Sequence, residues 1–306
     1  MKRIPNRSWK VPDEERVNKI KEWLLTNGGI EKQTKTQYEV WRIKFSDATF
    51  TYYTSGKLSV TDTNNESVLK AHNYILSITG SQFITSNKKF LIGFDEAGKG
   101  EVLGHIFLVG VIIPNDLYTE IEREIGVANT KIKHEIRYWT DIFRKIESYQ
   151  TRGLKFLIEK IPPYQVDKYN INRLFDITYE RILRLLIREV DIQNTRIVLD
   201  DYGIGFNLDT YLESLKQAGA EVIKINKADD TYLESRVASL IAKHEQQREI
   251  EAISMNEEFH IHGATIGSGN ISDPKTREWL RAWYQSGKDW PSFVKRSYLY
   301  FYQNEE

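Results

Sequence analysis

Three pairs of carboxylates stand where apolar runs end. Asp95-Glu96 follows Phe90-Leu91-Ile92-Gly93-Phe94, and Asp200-Asp201 follows Ile197-Val198-Leu199. Asp229-Asp230 follows Lys227-Ala228, just after the strand-like run at 221–225. Strand tips in an α/β sheet are common places for sites. Carboxylates brought together there repel one another unless they hold divalent metal. Hard oxygen ligands select Mg²⁺ or Mn²⁺. Two such ions, about 4 Å apart, form a clamp for in-line phosphodiester cleavage. A single pair would serve equally well as a helix cap or a solvated strand end. Three pairs at strand ends point to a site. Gly98-Lys99-Gly100 follows the first pair, and its glycines let backbone N–H groups approach a ligand closely. The stretch lacks the Walker spacing, so an NTPase reading has no support.

The elements that carry these residues are legible from periodicity. Strands are expected at 90–94 and at 106–113, the second ended by Pro114, with Gly98, Gly100 and Gly104 in the turn between. Helices are expected over about 133–150, 170–190 and 209–218, and strands at 196–199 and 221–225. A further helix follows Asp230, with Val237, Leu240 and Ile241 on one face. This alternation argues an α/β fold.

Ahead of this lies a smaller unit. The first 12 residues read as a loose basic arm. A helix starts near Pro12-Asp13-Glu14-Glu15, with Val17, Ile20, Trp23 and Leu24 on one face, and Asn27-Gly28-Gly29 ends it. Trp41, Ile43 and Phe45 alternate with Arg42 and Lys44 as in a half-buried strand. Strands at 50–53 and 57–60 and a helix over about 66–80 complete the unit. The boundary falls at the polar stretch Asn87-Lys88-Lys89, giving domains 1–86 and 87–306.

The chain has 306 residues, 40% of them hydrophobic and 28% charged, within the globular range. It contains no cysteine, which excludes disulfides, thiolate zinc sites and cysteine nucleophiles. No apolar run approaches the roughly 20 residues of a membrane span. Met-Lys-Arg-Ile-Pro-Asn-Arg has no apolar run behind it, so a cytoplasmic protein is expected. The net charge of zero hides a split, with +6 over residues 1–90 and −6 over the rest. A basic N-terminal part suits a grip on phosphates.

The segment Ile92-Gly93-Phe94-Asp95-Glu96-Ala97-Gly98-Lys99-Gly100, then Gly104, resembles the opening signature of the type 2 ribonucleases H. Further segments agree in order. Asn129-Thr130-Lys131 is similar to that family's Asp-Ser-Lys, and Tyr169-Asn170-Ile171-Asn172 to its Asn-Ile-Asn stretch. Lys227-Ala228-Asp229, with Ser239 ten residues after Asp229, resembles another block. Gly267-Ser268-Gly269, Ser272-Asp273-Pro274-Lys275-Thr276 and Trp290-Pro291-Ser292-Phe293-Val294-Lys295-Arg296-Ser297 resemble C-terminal blocks of archaeal and eukaryotic ribonuclease HII. Tyr52-Tyr53-Thr54-Ser55-Gly56-Lys57-Leu58 is similar to a stretch of ribonuclease HIII, where a TATA-binding-protein-like domain precedes the nuclease. Length and domain order resemble HIII, and the C-terminal blocks resemble HII.

The resemblance implies a ribonuclease-H-like α/β core behind a small α+β domain of the TATA-binding-protein-like kind. It implies an endonuclease that cuts the RNA strand of RNA–DNA hybrids, leaving 5′-phosphate and 3′-hydroxyl ends. Asp95, Glu96, Asp200 and Asp229 correspond to the four ligands of two Mg²⁺ or Mn²⁺ ions, with Asp201 and Asp230 as reserves. Gly98, Lys99 and Gly100 correspond to the loop that recognises the ribose 2′-hydroxyl, which both donates and accepts. Asn129 and Lys131 correspond to backbone contacts, and Tyr52, Tyr53 and Lys57 are candidates for gripping the duplex from the N-terminal sheet, with half of its aromatics expected to point inward by alternation. The partner implied is the hybrid, with no membrane and no obligate protein partner, and a monomer is expected.

The chain departs from the family at three places. Asn270 stands where HII has the tyrosine that stacks at an RNA–DNA junction, so weak incision at a single embedded ribonucleotide is expected. Asn129 replaces Asp, and Gln246-Gln247 replace Arg-Asp. Two other readings stay open: a catalytically idle nucleic-acid binder of the same fold, and a nuclease for another RNA. His260 and His262 alternate, and a surface or edge-strand pair is favoured over a zinc site. Trp279 and Trp283, four apart on a helix capped by Asp273 with Pro274 first, read as core.

Overall fold

The computed structural model describes residues 6–11, 13–61, 65–79, 83–126, 128 and 135–299. The chain divides into two units, Met1–Ile84 and Thr85–Glu306. The division falls two residues before the expected boundary because Thr85 and Ser86 are held by the second unit. Arg196 Nη1 donates to the Thr85 carbonyl at 2.9 Å, and Asn115 Nδ2 to that of Ser86 at 2.8 Å.

The first unit runs β1 (Asn6–Lys10), α1 (Glu14–Thr26), β2 (Ile30–Lys32), β3 (Glu39–Phe45), β4 (Ala48–Tyr53), β5 (Lys57–Thr61) and α2 (Glu66–Thr79). Its antiparallel sheet has the order β1-β5-β4-β3-β2. The supposed basic arm is therefore in part an edge strand. Trp9 and Val11 are buried in the core beneath the helices, and this anchors the segment against β5. Asp13 caps α1 by accepting from Arg16 N, as its position predicts. Trp41, Ile43, Phe45, Phe50, Leu58 and Val60 face Val17, Ile20, Leu24, Val68, Ala71 and Ile75 in one core.

The opposite face of this sheet carries Arg42, Thr51 and Ser59 in register across β3, β4 and β5. Strand alternation separates the neighbouring tyrosines. Tyr52, expected to be exposed for the duplex, instead lies on the core side, where it packs against Trp41 and donates its hydroxyl to the Val11 carbonyl at 2.8 Å. Tyr53 shares the helix-free face with Thr51, and exposed Lys57 shares it with Ser59.

The second unit runs β6 (Phe90–Ala97), β7 (Ile106–Pro114), α3 (Tyr118–Ile121), α4 (Ile136–Ser148), β8 (Lys155–Ile161), α5 (Pro163–Lys168) and α6 (Ile171–Leu186). It continues with β9 (Thr195–Leu199), α7 (Phe206–Gln217), β10 (Glu221–Lys224), α8 (Ala228–Thr231), α9 (Leu233–Met255) and α10 (Pro274–Gln285). The sheet order is β10-β9-β6-β7-β8, with β10, β9 and β6 parallel and β7 reversed, pairing antiparallel with both β6 and β8. The core of α6 and α7 against Ile92, Phe94, Leu108 and Leu199 fills one face.

On the other face α9 approaches β6 very closely at Gly93. A Cβ there would lie 2.3 Å from the Glu234 carbonyl carbon and 2.4 Å from the Ser235 nitrogen. A further core joins Val102, Leu103, Ile250, Trp279, Trp283, Phe293 and Val294, so the two tryptophans are core as read. Asp273 caps α10 with Pro274 in its first turn. His262 sits at φ 49° in a turn and not on a strand, which removes the shared face imagined for His260 and His262. Among the described residues no helix is long and apolar enough to cross a membrane.

Candidate active site

Strand β6 is central, between parallel β9 and antiparallel β7. The sequence suggested that it ends before Asp95. It continues to Ala97 because β7 goes on pairing with it, Asp95 opposite Val109 and Glu96 opposite Leu108. β9 pairs only as far as Gly93, so both acidic residues lie past the point where the parallel neighbour stops. Successive residues of a strand face opposite ways. Asp95 turns to α9, where the Ser239 hydroxyl hydrogen-bonds its carboxylate. Glu96 turns to α6, where Tyr179 donates to Oε2 at 2.8 Å.

Asp200 follows β9 directly, and its Oδ1 accepts from Ala228 N at 2.9 Å. That bond ties the tip of β9 to the turn bearing the next acidic pair. The turn is tight, with Lys227 in the left-handed region at φ 58°. Arg236, buried on α9, clamps it. Nε donates to the Asp229 carbonyl at 2.8 Å, Nη2 to Asp230 Oδ1 at 3.1 Å and Nη1 to the Ala128 carbonyl at 3.1 Å.

The geometry separates the two members of each later pair. Arg236 Nη2 pairs closely with exposed Asp230 at 3.1 Å and lies 4.0 Å from Asp229 Oδ2, and of the two the less exposed Asp229 also presents its charge to Asp95 and Glu96. Exposed Asp201 accepts from Gly203 N in its own turn, whereas Asp200 presents its charge to Glu96.

The electrostatics follow from this crowding. Burial, then the charges of Glu96 and Asp229, hold the Asp95 carboxyl well above the usual carboxylate range. Burial also raises Glu96, with Asp200 and Asp229 adding to it, while the Tyr179 hydrogen bond and the Lys99 charge pull the other way. Among the described residues no three His, Cys, Asp or Glu side chains form a ready set of metal ligands. The donor chemistry nevertheless fits a hard divalent cation: four carboxylates, all oxygen, with an excess of negative charge that burial makes costly.

The glycine-rich turn lies beside this cluster in sequence and in space. Gly98 has φ 97°, and a Cβ there would lie 2.3 Å from the His105 carbonyl oxygen. Lys99 Nζ lies 5.1 Å from the centre of the Phe175 ring. Gly100 meets Asn270, whose Nδ2 reaches the Gly100 carbonyl in a long contact of 3.4 Å. Asn129 and Lys131 lie outside the described residues. Tyr53 and Lys57 belong to the first unit, on its helix-free face.

Sequence reasoning missed Tyr179 and Arg236 as partners of these groups. Tyr179 is a polar-tipped residue on the buried stripe of α6 with Phe175 and Ile182, and Arg236 is a cation amid the apolar start of α9. Both are signals that burial alone makes meaningful.

Comparison with known proteins finds related sequences and structures. The sequence profile of the ribonuclease HII family matches residues 92–300. The ribonuclease HII of Methanobrevibacter smithii is 31% identical over 210 residues, 68% of this chain and 94% of that protein. That of Archaeoglobus fulgidus is 33% identical over 205 residues, 66% of this chain and 90% of that protein. Among solved structures, the ribonuclease H2 of Pyrococcus horikoshii OT3 superposes with a TM-score of 0.53 at 27% identity, covering 68% of this chain and 93% of its own.

Proposed function

The chain belongs to the ribonuclease HII family, and on that premise we propose that it hydrolyses the RNA strand of RNA–DNA hybrids internally, with two divalent ions. Asp95, Glu96, Asp200 and Asp229 would hold Mg²⁺ or Mn²⁺. Such ions, when bound, activate the attacking water and stabilise the leaving 3′-oxygen, which gives 5′-phosphate and 3′-hydroxyl ends.

The chain's own groups set up that chemistry. Ser239 orients Asp95, Tyr179 orients Glu96, the Ala228 N–H orients Asp200, and Arg236 fixes the backbone of Asp229. The backbone of Gly98, Lys99 and Gly100 is the proposed reader of the ribose 2′-hydroxyl. The helix-free sheet face of the first unit, with Tyr53 and Lys57, is the proposed grip on the hybrid, in the manner of ribonuclease HIII. Asn270 engages the loop and cannot stack as a tyrosine would, so incision at single ribonucleotides is proposed to be weak.

The observation that carries this reading is the mutual charge of Asp95, Glu96, Asp200 and Asp229 around one strand end. The test is a panel of labelled RNA–DNA hybrid, single-stranded RNA, duplex RNA and DNA duplex with one ribonucleotide. Each is run with Mg²⁺, Mn²⁺ or chelator, beside Asp95→Asn. Cutting of the hybrid that needs metal and is lost in the variant is expected. Binding without cutting under either metal would make the chain an idle binder, and cutting of another RNA alone would reassign its substrate.

A further inference from the structure

Five consecutive carbonyls of the glycine-rich loop are engaged by residues far along the chain. Lys295 Nζ donates to Gly98 O at 3.1 Å and to Glu101 O at 2.8 Å. The Tyr298 hydroxyl donates to Lys99 O at 2.9 Å. Asn270 Nδ2 reaches Gly100 O, and Lys295 N donates to Val102 O at 2.9 Å. Lys295 is fully buried, so its ammonium has no water to turn to and is committed to these oxygens.

The segment that carries Lys295 is itself anchored. Val294 bridges to Leu103, and Asp167 at the end of α5 accepts from Arg296 N at 3.1 Å, Ser297 N at 2.9 Å and Ser297 Oγ at 2.7 Å.

Stereochemistry gives this latch a consequence. A trans peptide is planar, with the C=O of one residue and the N–H of the next pointing opposite ways. Carbonyls of Gly98 and Lys99 turned into the latch therefore turn the N–H groups of Lys99 and Gly100 away from it. We propose that Lys295, supported by Tyr298, is a positioning residue for ribose recognition. It holds the loop by its carbonyls so that the Lys99 and Gly100 amides are aimed at the 2′-hydroxyl beside the scissile phosphate. The inference rests on the hybrid-nuclease reading above. It assigns the choice of ribose over deoxyribose in part to a residue almost two hundred positions from the loop.

The test compares hybrids of one sequence, one all-ribo in its RNA strand and others with a single 2′-deoxy nucleotide on one or the other side of the main scissile phosphate. The readout is the larger ratio of kcat/KM, all-ribo over substituted. Lys295→Met is expected to cut that ratio about tenfold, the size of one lost, well-aimed hydrogen bond. Lys295→Arg, which keeps two donors, is expected to restore it. Tyr298→Phe removes only the bond to Lys99 and is expected to lower the ratio about threefold. Its small change also covers the case where Lys295→Met fails to fold. A purely structural role would slow all the hybrids alike, and an unchanged ratio in Lys295→Met and Tyr298→Phe overturns the proposal. Wild-type protein that does not cut the all-ribo hybrid refutes the underlying reading instead, and the latch with it.

Discussion

Tyr179 donates its hydroxyl to Oε2 of Glu96 across 2.8 Å, from the buried stripe of α6 to the second carboxylate of β6. The ring also packs edge-on against Phe94 and Phe175, so Tyr179→Phe deletes the hydroxyl and little else. A hydrogen bond to a charged acceptor contributes about 1.5–3 kcal/mol. The variant is therefore expected to need roughly tenfold or more extra Mg²⁺ for half-maximal hybrid cleavage. The bond favours the ionised carboxylate, so its loss raises Glu96 further and moves the acid limb of the pH–rate profile to higher pH. A metal titration and a pH profile with little change from wild type would disconnect Tyr179 from the site.

Asp95→Asn is expected to abolish cleavage and yet stabilise the metal-free protein at neutral pH. Burial and the charges of Glu96 and Asp229 disfavour the ionised form of Asp95 in the fold, so removing that charge relieves the native state. Added Mg²⁺ or Mn²⁺ is expected to raise the melting temperature of wild type, through binding to the folded form alone, and to do far less in the variant. Thermal melts with and without metal check both halves.

Arg196 and Glu234 form a fully buried bidentate pair, with Nε to Oε1 at 2.7 Å and Nη2 to Oε2 at 3.1 Å. Burial outweighs even this partner and holds the Glu234 carboxyl above the usual range. Arg196→Met strands the carboxylate and is expected to cost about 3–5 kcal/mol in urea unfolding. Arg196→Met with Glu234→Leu is expected to recover most of that loss. A double variant as unstable as the single one would contradict this.

Lys295 supplies a pH signature. Burial pushes its ammonium down to about 8, against 10.5 for the free side chain, with Glu101, Glu249 and Asp167 opposing the shift. Between these values the unfolded chain binds the proton and the fold does not, so this residue's contribution to stability rises with pH across that window. The rise is on the order of 3 kcal/mol at most. Denaturation from pH 7.5 to 10.5 should show wild type gaining on Lys295→Met. The neutral amine keeps two hydrogens, enough for the Gly98 and Glu101 carbonyls, so the latch survives the titration.

Lys57→Glu tests the helix-free face of the first unit. Each phosphate contact contributes about one unit to the slope of log affinity against log salt. The variant is expected to weaken hybrid binding, to flatten that slope by about one and to leave saturated turnover near the wild-type value. An unaltered salt slope would place the duplex elsewhere.

The core elements were readable because their periodicity is unbroken. The buried run of β9 and the alternation of β3 announce strands, and Asp13 and Asp273 announce helix starts. β1 was not, because its meaning depends on one tryptophan finding a core assembled from residues up to Ile75. β8 was missed because, as an edge strand with a mostly half-buried pattern, it shows no clean alternation. The acidic residues stood out by type and placement, but sequence could not choose within Asp200-Asp201 or Asp229-Asp230. That choice depends on Arg236 and on the turn at Lys227, whose left-handed backbone leaves no mark in the residue type. The latch on the glycine-rich loop was invisible for the same reason, since its members are brought together only by folding.

The bare Cα of Gly93 lets strand and helix meet main chain to main chain, beneath the face that carries Asp95. The spacing between β6 and α9 is therefore fixed by peptide geometry, which no rotamer can alter. Conservative exchanges among the apolar residues around it are expected to leave Ser239 at its distance from Asp95. The chemistry is thereby insulated from drift in the core that supports it, and one hydrogen atom in place of a side chain provides that insulation.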